Sequence, residues 1–375
     1  MEEIIKLMDQ SGFTHMNWGN WIMYVISGIL VFLAIKKEYE PLLLIPIAFG
    51  IVLANFPLAE MGSYGKGIIA LIYRTGIKTE LLPPLIFLGV GVLTDFRPLL
   101  GRPITFLLGA AAQLGIFVAA LGAAFLFGFS FKEAASIGII GGADGPTSIF
   151  LSSQLAPHIL GPVALAAYSY MSLVPIIQPP ILKLLTTHHE RAIEMPQAMP
   201  VSKTAVILFP IVTGALASLA VPSSAPLIGM LMFGNLIRES GVTERLRKTA
   251  GGALIDIVTI FLGIAVGATM DSVNFLNYQT LMILALGAVA FAFSTAGGII
   301  FAKIMNFFLS DGKKINPCIG AAGVSAVPMS ARVVQKFVSD KTDGRVNPLM
   351  AAMGPNVAGV IGSAVAAGVF LTLLG

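Results

Sequence analysis

Eight residues at positions 141–148, Gly141-Gly142-Ala143-Asp144-Gly145-Pro146-Thr147-Ser148, set one carboxylate inside apolar sequence. Asp144 is the only acidic residue between Glu133 and Glu190. A carboxylate at mid-membrane depth costs about 2.5–3.5 kcal/mol on translocon scales and marks an ion path or a proton relay. Glycines on both sides and Pro146 two residues later are poor residues for a continuous helix. The stretch predicts a broken transmembrane helix with an acidic ion site at the break. The simpler alternative is a plain N-cap for the half-helix that starts at Gly145, and one residue can fill both roles.

Two more stretches combine Gly, Pro and an oxygen-bearing side chain within apolar sequence. One is 316–328, with Asn316, Gly320, Ser325 and Pro328, and the other is 354–359, with Gly354, Pro355, Asn356 and Gly359. A broken helix frees carbonyls at one half-helix end and exposes a dipole at the other. Carbonyls, one carboxylate, the Asn316 and Asn356 amides and the Ser148 and Ser325 hydroxyls make a hard-oxygen set suited to a small cation. A single carboxylate favours Na⁺ or H⁺ over Ca²⁺. The competing readings are interhelical hydrogen bonding for the two Asn residues and back-bonding to their own helix for the two Ser residues. Arg332 reads as an interface anchor or an anion-binding group. Tyr168 and Tyr170 read as packing aromatics, or as a phenol able to relay a proton. His188-His189 sits in a polar loop and reads as solvated, His158 as structural, and Cys318 as a small core residue. No nucleophile–His–acid set, zinc spacing or phosphate loop is present.

The elements that position these groups are membrane spans. Charged residues are 11 % of the 375, against roughly 25 % in an average soluble chain. Apolar residues are 56 % and the mean hydropathy is +0.88. No Asp, Glu, Lys or Arg occurs in 103–131, 145–182, 204–237, 272–302 or 346–375. A spanning helix needs about 20 apolar residues, so the chain is an all-α polytopic membrane protein. A β-barrel would show short alternating segments instead. The net charge of +4 is carried by short loops and reports orientation, not nucleic-acid binding. The single cysteine excludes an intrachain disulfide. The acidic start, Met1-Glu2-Glu3, does not read as a signal peptide.

Residues 1–20 hold an amphipathic surface stretch at 2–9, followed by Trp18 and Trp21 as interfacial anchors. Residues 21–185 form a first membrane repeat, 186–202 a polar connection and 203–375 a second repeat. Roughly a dozen apolar segments predict ten or eleven crossings plus re-entrant pieces. Phe49-Gly50 matches Phe233-Gly234, and Ile86-Phe87-Leu88-Gly89 matches Ile260-Phe261-Leu262-Gly263. Asp95 and Asp271 follow at the segment ends, and 141–148 falls opposite 320–328. Five crossings per half would invert the second repeat and place the site near the midplane. Loop charge agrees at 95–102 against 271–279, and disagrees at 60–80 against 238–250, both of which are basic. From 354 onward, small residues recur every four positions and predict close helix packing.

Together the three stretches carry a family resemblance. Gly-Gly-Ala-Asp-Gly-Pro-Thr-Ser at 141–148, the spacing of Asn316, Gly320, Ser325 and Arg332, and Met-Gly-Pro-Asn-Val-Ala-Gly-Val-Ile-Gly-Ser at 353–363 resemble the β-subunit of the sodium-pumping, biotin-dependent decarboxylases. That family includes the oxaloacetate, methylmalonyl-CoA, glutaconyl-CoA and malonate enzymes. The resemblance covers nearly the whole chain, and the length is similar to that of the shorter, acyl-CoA members. It implies a bacterial cytoplasmic-membrane subunit that decarboxylates carboxybiotin and exports Na⁺. The implied partners are a carboxyltransferase α-subunit, a biotin carrier, a small membrane γ or δ subunit and further copies of the β-subunit. Asp144, Asn316, Ser325 and Asn356 are implied at or near Na⁺ and Tyr170 in proton delivery; Arg332, as the anion-binding group, is then expected to hold the carboxybiotin carboxylate. A Na⁺- or H⁺-coupled carrier of an organic anion, with no biotin partner, is the alternative that an inverted repeat alone would also fit.

Overall fold

The computed structural model describes residues 9–62, 67–195, 198–310 and 312–375. The surface stretch expected at 2–9 lies outside them except for Asp9. Every regular element among the described residues is helical. Helices α1 (Trp18–Lys36) and α2 (Pro41–Ala54) come first, and α3 (Leu82–Leu93) follows a helical piece at 68–77 that meets it at 67°. Helices α4 (Phe106–Ala112) and α5 (Leu114–Phe127) form one apolar span. The broken pair α6 (Phe131–Gly138) and α7 (Gly145–Leu155) leads to the long α8 (Leu160–Leu185). Beyond the polar connection come α9 (Lys203–Ala220), α10 (Ala225–Glu239), α11 (Ile255–Gly267), α12 (Tyr278–Phe308), α13 (Met329–Lys341) and α14 (Leu349–Leu374).

Among the described residues, seven helices are long and apolar enough to cross a membrane, or eight if the bent 68–93 pair counts as one span. The other apolar sequence is divided among shorter helices such as α2, α6, α7 and α10. Counting apolar residues therefore gives more crossings than helix length alone supports. The third expected break is absent. Helix α14 stays continuous through Pro355, although the proline removes the hydrogen bond to the Ala351 carbonyl.

Lipid tails are as apolar as leucine, so helices associate in a membrane by close packing and interhelical hydrogen bonds. Two crossings show both. On Gly50 of α2 an added Cβ would stand 2.4 Å from the Ile264 carbonyl oxygen, and on Gly267 at the end of α11 it would stand 2.0 Å from that of Ile47. Gly91 of α3 and Gly234 of α10 mesh in the same way, 2.0 Å from the Leu231 oxygen and 2.1 Å from the Leu88 oxygen. Each crossing ends in an asparagine. Asn55 Nδ2 donates to the Met270 carbonyl at 2.9 Å, and Asn235 Nδ2 to the Thr94 carbonyl at 3.0 Å.

The remaining helices enclose the two breaks. Gly298 of α12 and Gly320 face one another across a contact that no Cβ would fit, 2.0 and 2.1 Å from each other's carbonyl oxygens. Gly359 of α14 would place a Cβ 2.3 Å from the Gly323 oxygen, and Gly354 one 2.4 Å from Thr105 Oγ1. The small residues after position 354 thus do pack against neighbouring backbone. The polar connection is tied down as well: Glu190 pairs with Lys303 at 3.1 Å and caps back onto Thr187.

A Gly91→Ala substitution forces its methyl into the Leu231 carbonyl. Overpacking of this kind costs roughly 1–3 kcal/mol, so the purified protein should lose several degrees of thermal midpoint or much of its yield. Gly28→Ala, with no heavy atom within 4 Å of the added Cβ, should leave both unchanged. Equal midpoints for the two variants would contradict the crossing.

Candidate ion site at the crossed helix breaks

The first break follows from its sequence. Ser130 and Glu133 cap the start of α6 reciprocally, and Glu133 also bonds His158 Nε2 at 2.9 Å and Gln279 Nε2 at 2.8 Å. That fixes the start of α6 to the turn before α8 and to the start of α12. The helix tightens into a 3₁₀ turn over Ile139–Gly142. Ala143 then adopts a left-handed backbone, φ 53°, which costs a non-glycine residue roughly 1–2 kcal/mol. The chain turns there so that Asp144 caps α7, with Oδ1 accepting from the Thr147 N–H at 3.0 Å. The capping alternative is therefore realised, and it uses only one carboxylate oxygen.

The other oxygen faces the second half of the chain. Ser363 Oγ of α14 donates to Asp144 Oδ2 at 2.7 Å, and Ser363 Oγ lies 2.9 Å from Ser325 Oγ. Ser325 sits just after the 3₁₀ segment Pro317–Gly323, and its N–H donates to the Gly142 carbonyl at 2.7 Å. The two irregular stretches thus cross at Gly142 and Ser325. Asn356 Nδ2 donates to the Val324 carbonyl at 2.7 Å and reaches that of Ala326 at 3.4 Å. Ser148 bonds back to the Asp144 carbonyl at 2.7 Å.

Asp144 is 6 % exposed and forms no ion pair among the described residues. Transfer of a carboxylate to a medium of low dielectric costs on the order of 20 kcal/mol in the idealised limit, and several kcal/mol after relaxation. Hydrogen bonds to a charged group each contribute about 1.5–3 kcal/mol. The Thr147 N–H and the Ser363 hydroxyl offset only part of that cost, and the local balance calls for a positive charge. Nearby oxygens also lack donors. Asn356 Oδ1 and Gln113 Oε1 are buried with no hydrogen-bond partner. Thr147 Oγ1 and the Tyr168 hydroxyl are also buried without a partner, so the cluster holds one carboxylate, bare amide oxygens and neutral hydroxyls, an oxygen set that a small cation can complete.

The structure brings Asp144, Ser325 and Asn356 together and adds Ser363. In this conformation Asn316 does not join them. Its Oδ1 accepts from the Cys318 N–H at 3.1 Å, and its Nδ2 donates to the Arg191 and Ile193 carbonyls at 2.9 and 3.0 Å. Tyr170 donates its hydroxyl to the Leu284 carbonyl and packs between Ile140 and Gly287. The ring against the break belongs to Tyr168, which lies so close to Gly145 that a Cβ there would be 2.0 Å from its Cε1. Arg332 on α13 is exposed, and its guanidinium makes no ion pair among the described residues. His188 and His189 are exposed, and among the described residues no three His, Cys, Asp or Glu side chains gather as a metal cluster. Ser363 was legible in principle, because it lies seven residues after Asn356 and two helical turns put both on one face.

A family model described as the Na⁺-transporting oxaloacetate decarboxylase beta subunit matches residues 19–374. The chain is 56 % identical over 371 residues to the methylmalonyl-CoA decarboxylase subunit beta of Veillonella parvula, covering 99 % of this chain and 97 % of the relative. It is 55 % identical over 372 residues to the glutaconyl-CoA decarboxylase subunit beta of Acidaminococcus fermentans, covering 99 % and 98 %. Identity to the oxaloacetate decarboxylase beta chain of Klebsiella pneumoniae is 49 % over 431 aligned positions, covering 99 % of each.

Substituting Gly145→Ala should displace the Tyr168 ring and lower the thermal midpoint of the purified complex. Adding Tyr168→Leu should restore part of the loss, since the clash then disappears. A double variant no better than the single one would show that the ring is not the cause.

Proposed function

The chain belongs to the family of Na⁺-transporting decarboxylase β-subunits, and on that premise we propose that Asp144 holds the transported Na⁺ while carboxybiotin is decarboxylated at the same subunit. As a member of that family it is the membrane subunit of a decarboxylase Na⁺ pump, a multi-pass protein of the bacterial cytoplasmic membrane. The observation that carries the site assignment is the buried, ion-pair-free carboxylate of Asp144 among hydroxyls and donor-free amide oxygens. Na⁺ supplies the missing charge and prefers such hard oxygen ligands. Ser363, Ser325 and Asn356 are the proposed neutral partners.

Decarboxylation of carboxybiotin breaks its N–CO₂ bond and leaves the electron pair on the ureido nitrogen. That nitrogen takes up a proton, so biotin and CO₂ leave together. Tyr170 is the proposed donor. Its support is placement: the side chain packs on Ile140, in the turn that precedes Asp144. The exposed guanidinium of Arg332 suits a docked carboxylate, which a planar fork can bind through two hydrogen bonds. Asn316 pins the second break to the polar connection, and we assign it to the ion path from that position.

The finer architecture is also a proposal: two inverted repeats, with ten or eleven crossings once short and broken helices are counted, working by alternating access. Support comes from the two glycine crossings, in which α2 meets α11 as α10 meets α3, with paired contacts at matching sequence offsets. The partners proposed are a carboxyltransferase α-subunit, a biotin carrier and a small membrane γ or δ subunit. An acyl-CoA substrate for the complex is favoured by the 56 % and 55 % identities to two acyl-CoA decarboxylase subunits.

The test uses the purified complex in proteoliposomes. Asp144→Asn should reduce Na⁺-stimulated decarboxylation and ²²Na⁺ uptake to below about 1 % of the parent, while the biotinylated partner still copurifies. Full Na⁺-stimulated turnover in that variant would remove Asp144 from the site. Ser363→Ala should raise the half-saturating Na⁺ concentration about tenfold, equivalent to about 1.4 kcal/mol. Arg332→Gln should slow turnover of the carboxylated carrier and leave the half-saturating Na⁺ concentration in place.

A further inference from the structure

Between α4 and α5 lies a residue that neither the motifs nor the family resemblance singles out. Gln113 stands at the junction of the two helices, within the uncharged span 103–131. It is 4 % exposed. Its Nε2 donates to the Gly109 carbonyl at 3.0 Å and to the Gly323 carbonyl at 3.1 Å. Two acceptors on one side of the amide fix its orientation, because an oxygen placed there would face two other oxygens. The oxygen Oε1 must then point the other way, and it has no donor.

Where it points is set by the first break. A Cβ built on Gly142 would lie 3.4 Å from Gln113 Oε1 and 3.3 Å from Ser363 Cβ. Gly142 is two residues from Asp144, and its carbonyl is the one bonded by Ser325. Gly362 leaves room for the same side chain, since a Cβ there would stand 2.7 Å from Gln113 Cγ. The amide therefore reaches the crossed breaks from a third direction, past two glycines, and presents a bare acceptor at Gly142, which Ser363 also approaches.

We infer that Gln113 Oε1 is a neutral ligand of the Na⁺ held by Asp144, supplied by the α4–α5 span. This rests on the Na⁺ assignment made above and extends it to a residue outside the three motif stretches. The geometry separates two jobs within one side chain. The NH₂ group braces α4 to the second break, and the oxygen faces the ion. A neutral oxygen adds coordination without adding charge, so it tunes affinity and size selection for a monovalent ion.

Two substitutions divide those jobs. Gln113→Met and Gln113→Glu both delete the NH₂ donor, and only Met also deletes the oxygen. In the reconstituted complex, Gln113→Met should raise the half-saturating Na⁺ concentration at least tenfold and narrow the preference for Na⁺ over Li⁺. Gln113→Glu keeps an oxygen toward the ion and adds negative charge, so it should lower the half-saturating Na⁺ concentration at least threefold. Equal shifts in both variants, or no shift in Gln113→Met, would overturn the inference and leave Gln113 as a brace. If Gln113→Met does not assemble, Gln113→Glu decides alone: a half-saturating Na⁺ concentration at least threefold lower supports the ligand role, and an unchanged or higher one refutes it. Failure of both to assemble is the outcome of a purely structural role and also refutes it. A parent complex whose turnover ignores Na⁺ would instead overturn the Na⁺ assignment itself.

Discussion

The structure depends on one unbalanced charge. Asp144 is buried, its two oxygens accept one backbone and one hydroxyl donor, and no cationic side chain pairs with it. Stability alone does not account for such a group, since an apolar residue of similar size would cost less. A protein that carries cations gains from leaving the charge open. The surrounding oxygens agree, because carboxamides turned so that their NH₂ groups face carbonyls leave their own oxygens bare. The polarity of the site is set as much by these orientations as by the carboxylate.

Irregular backbone at membrane depth survives only where protein encloses it. Here the second break satisfies the first, the Gly142 carbonyl taking the Ser325 N–H, and α14 satisfies the second, the Val324 carbonyl taking Asn356. Glycine makes that approach possible. Gly320 against Gly298 and Gly323 against Gly359 bring backbone to backbone at distances that exclude a methyl group. The outer helices use the same device at Gly50, Gly91, Gly234 and Gly267. Many of the forty glycines meet a packing requirement in this sense, while others, such as Gly28, stand in open space.

The all-α class and the acidic break were legible because each has a strong local signature: long uncharged spans, and an Asp between glycines. Asn356 and Ser325 were legible as oxygen-bearing residues in Gly- and Pro-rich sequence. What local sequence does not carry is direction. Asn316 resembles Asn356 in type and setting, yet its amide turns to the Arg191 and Ile193 carbonyls of the polar connection. Pro355 has the same composition signal as Pro146, but the flanking helix absorbs it, while Ala143 turns left-handed before Asp144. Ser363 and Gln113 were missed because each is a single polar residue in a packing face, and its role depends on what lies across the interface. Tyr168 and Tyr170 are two residues apart on one helix, so they point in different directions, and only the fold assigns one ring to Gly145 and the other to α12.

The same charge imbalance explains how coupling can be tight on the proposed cycle. Moving one elementary charge against 100 mV requires about 2.3 kcal/mol, so a pump that lets its site return or leak in the wrong state loses the work of decarboxylation. With Na⁺ bound, Asp144 and the ion together are neutral, and the crossed breaks can move through a low-dielectric region at small electrostatic cost. Without an ion or a proton the carboxylate is bare, and the same motion carries the full desolvation penalty of several kcal/mol. The loaded site is therefore the mobile one. A proton is the other particle that neutralises Asp144, and carboxybiotin decarboxylation consumes a proton. The chemistry and the transport site thus draw on one kind of charge compensation, which gives the reaction a physical means of deciding when the empty site can return.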